Sequence, residues 1–218
     1  MLSLFKSPLR VLCLMLLFPS LSFADAIGKV VLVKGSPLVV REQQHLFIKR
    51  NDKLFQNDTV ITPVGSRILI KFNDKTTLSL AENTEFELSK YEFGKTKSDV
   101  SFKMLKGAFR TLTGKIGKQE NPKFEIHTPI ATIGVRGTEF WGGMIFSDAL
   151  DVTMLSGKGV YVENELGRVE LTEATDGTMV KPGMAPSTVK KWSQDKLIKA
   201  AAATEVKKKA QGSSSFDY

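Results

Sequence analysis

Between residues 27 and 181 the sequence is dominated by short runs in which apolar and polar residues alternate. The run RILIKF, for example, places Ile68, Ile70 and Phe72 on one face, and VSFKML and TEFELS repeat the arrangement. Alternation with period two is typical of half-buried strands, and glycine, proline and asparagine clusters separate the runs as turns would. No run of helical period lies between them. The pattern therefore predicts one all-β domain of many short strands, built either as a twisted β-solenoid or as a two-layer sandwich.

The first 24 residues have the layout of a secretory signal peptide. Lys6 and Arg10 precede an apolar run at 11–18, and Ser22-Phe23-Ala24 supplies small residues at the cleavage positions. The run is shorter than the roughly 20 residues that span a bilayer, although an uncleaved anchor is the other interpretation. We expect export to the periplasm of a Gram-negative cell, with extracellular release as a variant. Cys13 is the only cysteine and would leave with the peptide, which excludes disulfides and thiol chemistry.

The C-terminal residues differ in composition from the strand-rich part. After residue 185 the chain becomes rich in alanine and lysine, which favour helix, and Ser187 is a suitable cap for a helix beginning near Thr188. We therefore divide the chain into a signal peptide (1–24), an all-β domain (25–185) and a basic tail (186–218) that is helical and partly disordered. No second apolar run is long enough to cross a membrane.

Positive charge is concentrated in the middle of the chain. Residues 90–123 hold nine basic and three acidic groups, against four basic and nine acidic groups in 124–185. Such a region can attract an anionic glycan or lipid surface, or can be a solvated hairpin. The expected export argues against nucleic acid as a partner. The candidate contacts are Lys103, Lys106, Arg110, Lys115 and Lys118.

Residue types that carry enzymatic chemistry are sparse. The two histidines, His45 and His127, both stand beside apolar strand positions, where a half-buried surface group is the usual case. The carboxylates Glu85 and Glu87 alternate with apolar neighbours, as residues on the solvent-exposed face of a strand do. Metal-binding spacings and a phosphate-binding loop do not occur. We predict neither catalytic residues nor a metal or other cofactor.

The segment HTPIATIGVRGTEFW combines a strand pattern with two glycines that bracket an arginine. Glycine permits backbone angles closed to other residues, so a strand turning a corner is the simplest interpretation of GVRG. In that interpretation Pro129 opens a strand, and Arg136 pairs with Glu139 or caps carbonyl groups. The alternative makes Arg136 an exposed clamp for a carboxylate or phosphate. The residues of this corner are Pro129, Gly134, Arg136, Gly137, Thr138 and Glu139.

Two blocks, LKGAFRTLTGKIGK (residues 105–118) and FEIHTPIATIGVRGTEF (residues 124–140), closely resemble the signature of the FecR-like periplasmic domain family. Upstream, Asp58, Gly65-Ser66 and Phe72-Asn73-Asp74 occur in matching order, and the likeness extends over about residues 27–185. The resemblance implies an all-β, solenoid-like module. It brings no catalytic residues, and it implies that the GVRG corner is architectural.

In the best-known members of this family, the module is the periplasmic part of a longer protein. That protein carries a cytoplasmic anti-sigma segment and a membrane helix, and it senses an outer-membrane iron-siderophore transporter. This chain departs from that plan, because it begins with a signal peptide and contains no internal membrane helix. We therefore expect a stand-alone, non-enzymatic binding or scaffold module of the envelope. Its partner would be another envelope protein or, alternatively, an anionic glycan or lipid bound through residues 90–123.

Overall fold

The computed structural model describes residues 25–94, 97–120 and 122–207. They form two facing β-sheets of nine strands each and one short helix, α1 (Gln194–Thr204). The all-β prediction is confirmed, and of the two architectures the sandwich is the one formed. The predicted signal peptide lies outside the described residues. In chain order the strands are β1 (Gly28–Lys34), β2 (Leu38–Arg41), β3 (Gln44–Phe47), β4 (Lys53–Leu54), β5 (Thr59–Thr62), β6 (Arg67–Phe72), β7 (Thr77–Leu80), β8 (Thr84–Phe93), β9 (Ser98–Lys106), β10 (Ala108–Leu112), β11 (Lys123–His127), β12 (Thr132–Val135), β13 (Thr138–Gly143), β14 (Leu150–Gly157), β15 (Val160–Asn164), β16 (Gly167–Leu171), β17 (Asp176–Val180) and β18 (Lys190–Lys191).

The order of strands in space follows the order of the chain. The first sheet runs β4-β1-β6-β7-β10-β13-β14-β17-β18, and the second runs β3-β2-β5-β8-β9-β11-β12-β15-β16. Apart from the opening pair of each sheet, every strand is added next to an earlier one as the chain alternates between the layers. Neighbours are antiparallel except β9 and β11, which pair in parallel. The fold is thus a sandwich that grows along one axis, as a solenoid does.

Phenylalanine rings join the two layers. Phe86 of the second sheet packs edge-on against Phe109 of the first at 5.8 Å between ring centroids, and against Phe102 at 5.8 Å. Phe109 in turn meets Phe140 at 5.4 Å, and all four rings are buried. Edge-to-face pairs add about 0.5–1.5 kcal/mol each to the burial of the rings. The predicted inward positions of β6, β8 and β9 are buried as expected.

The C-terminal helix is present, but its predicted start near Thr188 is wrong. Residues Lys190–Lys191 form β18 against β17, and Trp192 covers Gly177, where a Cβ would overlap the indole ring. These contacts hold the segment extended, so the helix begins only after Ser193, whose Oγ accepts a bond from the N–H of Lys196 at 3.4 Å. Along the described residues, no helix has the length and apolar character needed to span a membrane.

Helix α1 lies on the outer face of the first sheet. Ala200 is buried there with Ala81, Ala108 and Trp141. The side chain of Arg67 donates a 2.7 Å hydrogen bond from Nε to the carbonyl of Ala203, near the end of the helix. The helix therefore packs through its second half as well as its start.

Candidate functional site

The GVRG segment carries the chain from one sheet to the other. Strand β12 of the second sheet ends at Val135 and β13 of the first begins at Thr138, so Arg136 and Gly137 form the connection. Gly137 has a φ of +67°, and a Cβ there would press on the carbonyl oxygen of Gly117. Left-handed backbone at such a position favours glycine.

Thr138 fixes this corner by hydrogen bonds. Its backbone N–H donates to Thr113 Oγ1 at 2.9 Å, and its own hydroxyl lies 2.9 Å from the carbonyl oxygen and 3.0 Å from the nitrogen of Gly159. Thr138 is 1% exposed, so these bonds are shielded from water. The corner is thereby tied to the end of β10 and to the turn between β14 and β15.

Two residues of the predicted corner have other roles. Pro129 lies in the four-residue turn from Thr128 to Ala131 rather than at the start of a strand. Gly134 lies inside β12 without a positive φ, and the ring of Tyr161 occupies the space where its side chain would be. Gly134 therefore makes room for an aromatic ring and does not bend the strand.

The expected pairing of Arg136 with Glu139 does not form. Glu139 instead pairs with Arg110 of the neighbouring strand β10, with 2.7 Å between Arg110 Nη2 and Glu139 Oε1. Arg136 is exposed, and its backbone N–H donates a hydrogen bond to the Gly159 carbonyl at 3.1 Å.

The five basic candidates are not brought together on one surface. Lys103 and Lys106 project from the outer face of the second sheet, where they lie 3.2 Å from Glu87 and 3.7 Å from Glu85. Arg110 projects from the first sheet and pairs with Glu139, as described above. Lys115 and Lys118 are exposed around a single 3₁₀ turn at Ile116–Lys118. Glutamates on adjacent strands thus offset much of the positive charge of this region.

The histidines lie apart. His45 is exposed on β3, and His127 on β11 places Nδ1 3.0 Å from Thr132 Oγ1 and Nε2 3.5 Å from Glu125. Within residues 25–94, 97–120 and 122–207, no group of three or more histidine, cysteine, aspartate or glutamate side chains is arranged to hold a metal ion.

One surface that the sequence analysis did not single out is the edge strand β3. It is the outermost strand of the second sheet, and all four of its residues are exposed. Leu46 is 41% and Phe47 73% exposed. Glu42 and Gln43, with φ of 47° and 65°, form the two-residue turn that joins β2 to β3. Consecutive positive φ values are typical of the tightest hairpin turns.

The register of this hairpin shows which backbone groups face outward. Arg41 and Gln44 close the turn, and the Ile48 N–H donates to the Pro37 carbonyl at 3.0 Å. In an antiparallel pair, hydrogen-bonded and non-bonded positions alternate, so His45 and Phe47 direct their N–H and C=O groups away from β2. Among the described residues, no strand pairs with that side of β3.

Comparison with known proteins gives a family match over part of the chain and a fold. Residues 58–158 match the model of the family described as FecR protein. Two crystal structures of a candidate anti-sigma factor from Parabacteroides distasonis match with TM-scores of 0.53 and 0.52, each at 17% identity. Each match covers 64% of this chain and 62% of that protein's chain. At this identity the likeness establishes the fold alone. Among curated proteins none matches the sequence.

Proposed function

We propose that the protein, whose residues 58–158 match the FecR family model, is an exported, non-enzymatic protein-binding module of the cell envelope. It acts in the periplasm and has a role in signalling, with an extended segment of another envelope protein as its partner. The observation that supports this proposal is the open edge of β3, which combines outward backbone groups with two exposed apolar side chains.

Strand addition explains why such an edge would serve recognition. A partner segment that aligns with β3 receives main-chain hydrogen bonds from His45 and Phe47, which supply affinity independent of its sequence. The exposed side chains of Leu46 and Phe47, which point to opposite faces of the sheet, contact partner side chains on those two faces and supply selectivity. An open strand edge can pair with another chain, and folded proteins usually cover or blunt such edges.

The first test compares two variants at His45 in a crosslinking pull-down of tagged residues 25–218 from intact cells. His45→Pro removes one outward N–H and leaves the β2–β3 ladder intact, because edge strands tolerate proline on the solvent side. His45→Ala removes the same imidazole but keeps the N–H. We expect wild type and His45→Ala to retain the same envelope protein at high salt, and His45→Pro to lose it.

Retention of that protein by His45→Pro, with an unchanged unfolding temperature, would contradict docking on β3. If His45→Pro does not fold, Phe47→Ser replaces it, since this change removes the largest exposed apolar contact without altering the backbone. Recovery of only glycan or lipid, lost when the salt is raised, would favour the alternative of adhesion through the basic region instead, because salt screens such contacts.

A further inference from the structure

A cleft of about 650 Å³ opens beside the GVRG corner, at one end of the second sheet. It lies between the loop that follows the 3₁₀ turn and the ends of β11, β12 and β15. Four of its lining side chains are cationic and one, Glu120, is a carboxylate. The cationic residues are Lys123, Arg136, Lys158 and Arg168.

These cations are not neutralised equally. Arg168 is paired, at 3.0 Å, with both Glu163 and Glu170. Lys123 has more distant partners, at 3.9 Å from Asp99 and 3.8 Å from Glu125. For Arg136 and Lys158, no carboxylate of the described part of the chain lies within 4.0 Å. The cleft therefore holds two cations that lack a contact ion pair within the described residues, Arg136 and Lys158, beside one carboxylate, Glu120.

The fold holds these two cations next to each other. Lys158 lies between Gly157 and Gly159, whose φ values are +119° and +156°, in the turn from β14 to β15. The Arg136 N–H donates to the Gly159 carbonyl, and the Thr138 hydroxyl bonds to the same glycine, so the two turns are joined. Both cations also line a smaller cavity of about 40 Å³ over Tyr161.

We propose that this cleft binds a phosphate-bearing anion. The planar fork of an arginine can bind two phosphate oxygens at once, and a lysine adds a point charge beside it. Arg136 and Lys158, which have no carboxylate of the described residues in contact, are free to bind the oxygens of a phosphate group. The Arg168 guanidinium, stacked on the Tyr161 ring at 3.9 Å, forms a planar wall. The volume falls in the range of about 300–1,000 Å³ that small-molecule sites occupy.

The proposal is tested by calorimetric titration of folded residues 25–218 with inorganic phosphate at constant ionic strength, and by co-sedimentation with phosphatidylglycerol vesicles. Vesicles of phosphatidylcholine serve as the uncharged control. The test variant is Arg136→Gln with Lys158→Gln. The matched control, Lys29→Gln with Lys181→Gln, removes the same net charge from two exposed lysines outside the cleft.

We expect wild type and the Lys29/Lys181 control to bind phosphate or phosphatidylglycerol equally, and the Arg136/Lys158 variant to bind at least about tenfold more weakly, as expected from the loss of one charge-assisted bond. Binding of phosphate identifies a free phosphorylated ligand, and binding of vesicles alone identifies a lipid headgroup. Absence of both, or equal loss in the two double variants, overturns the proposal. His45→Pro should retain this binding, so the two proposals fail separately.

Discussion

Lys196 anchors helix α1 to the sandwich through an ion pair with Asp151. Its replacement should therefore lower the free energy of unfolding. Its ammonium lies 2.5 Å from Oδ1 of Asp151, a residue that is 1% exposed, and 4.1 Å from the centroid of the Trp192 ring. Phe146 lies on another side, at 5.4 Å. Removing the ammonium leaves the buried Asp151 carboxylate without its partner, next to aromatic rings.

The expected loss of stability depends on how deeply the Lys196–Asp151 ion pair is buried. Breaking a fully buried ion pair costs about 3–5 kcal/mol, but the Lys196 side chain is 33% exposed, so water screens part of the interaction. We therefore expect Lys196→Met, which keeps the apolar stem, to lower the free energy of unfolding by about 2 kcal/mol. For a domain of this size that is a fall of about 4–8 °C in unfolding temperature.

A double-mutant cycle measured by urea and thermal unfolding tests this reasoning. Asp151→Asn removes the charge that Lys196 neutralises, so the double variant should lose less stability than the sum of the two single changes, with a coupling of about 1–2 kcal/mol. Lys199→Met, an exposed lysine on the same helix, is the control and should change stability by less than about 0.5 kcal/mol. Additive effects, or a Lys196→Met variant as stable as the control, would refute the assigned contact.

Three further changes address the sheets, each measured by unfolding. Gly134→Ala should cost about 1–3 kcal/mol, because the new methyl displaces the Tyr161 ring; full stability would contradict that packing. Gly137→Ala should lower the free energy of unfolding by about 1–2 kcal/mol, because a φ of +67° is unfavourable for a residue with a Cβ. An unchanged unfolding temperature would contradict this strain. The 2.8 Å hydrogen bond from Lys90 lowers the pKa of Asp99, so this stabilisation is present above the ordinary carboxyl pKa of about 3.9 and is lost as pH falls through the lowered value. Lys90→Met should therefore weaken the fall in the free energy of unfolding at acid pH. An unchanged pH dependence would exclude the Lys90–Asp99 ion pair as a source of that fall.

The strands could be predicted from the sequence because one face of each sheet is buried. Alternation at Ile68, Ile70 and Phe72 identifies that face directly, and these residues are in the core. What alternation does not encode is which strands share a sheet. A solenoid and a sandwich bury the same positions, so the sequence left both open.

Which side chains contact each other could not be predicted from their spacing in the sequence. Glu139 is three residues from Arg136 in the sequence, yet it pairs with Arg110, because adjacent strands bring distant residues closer than neighbours on a turn. The local sequence of Gly134 favours a bend, since nothing in it indicates that Tyr161 lies over this residue. The predicted helix start is wrong for a similar reason: alanine and lysine favour helix, but Lys190 and Lys191 pair with β17 instead.

The strand order bears on how the chain acquires its structure. Because each later strand joins an edge formed by earlier residues, a polypeptide that emerges N-terminus first can fold in the order in which it appears. Early hairpins supply a template, and later ones need only extend it, as in repeat proteins whose units are stabilised by their neighbours. Shortening the chain from its C-terminal end should therefore leave an ordered remainder, whereas deleting β1 and β2 removes the surface on which every later strand depends.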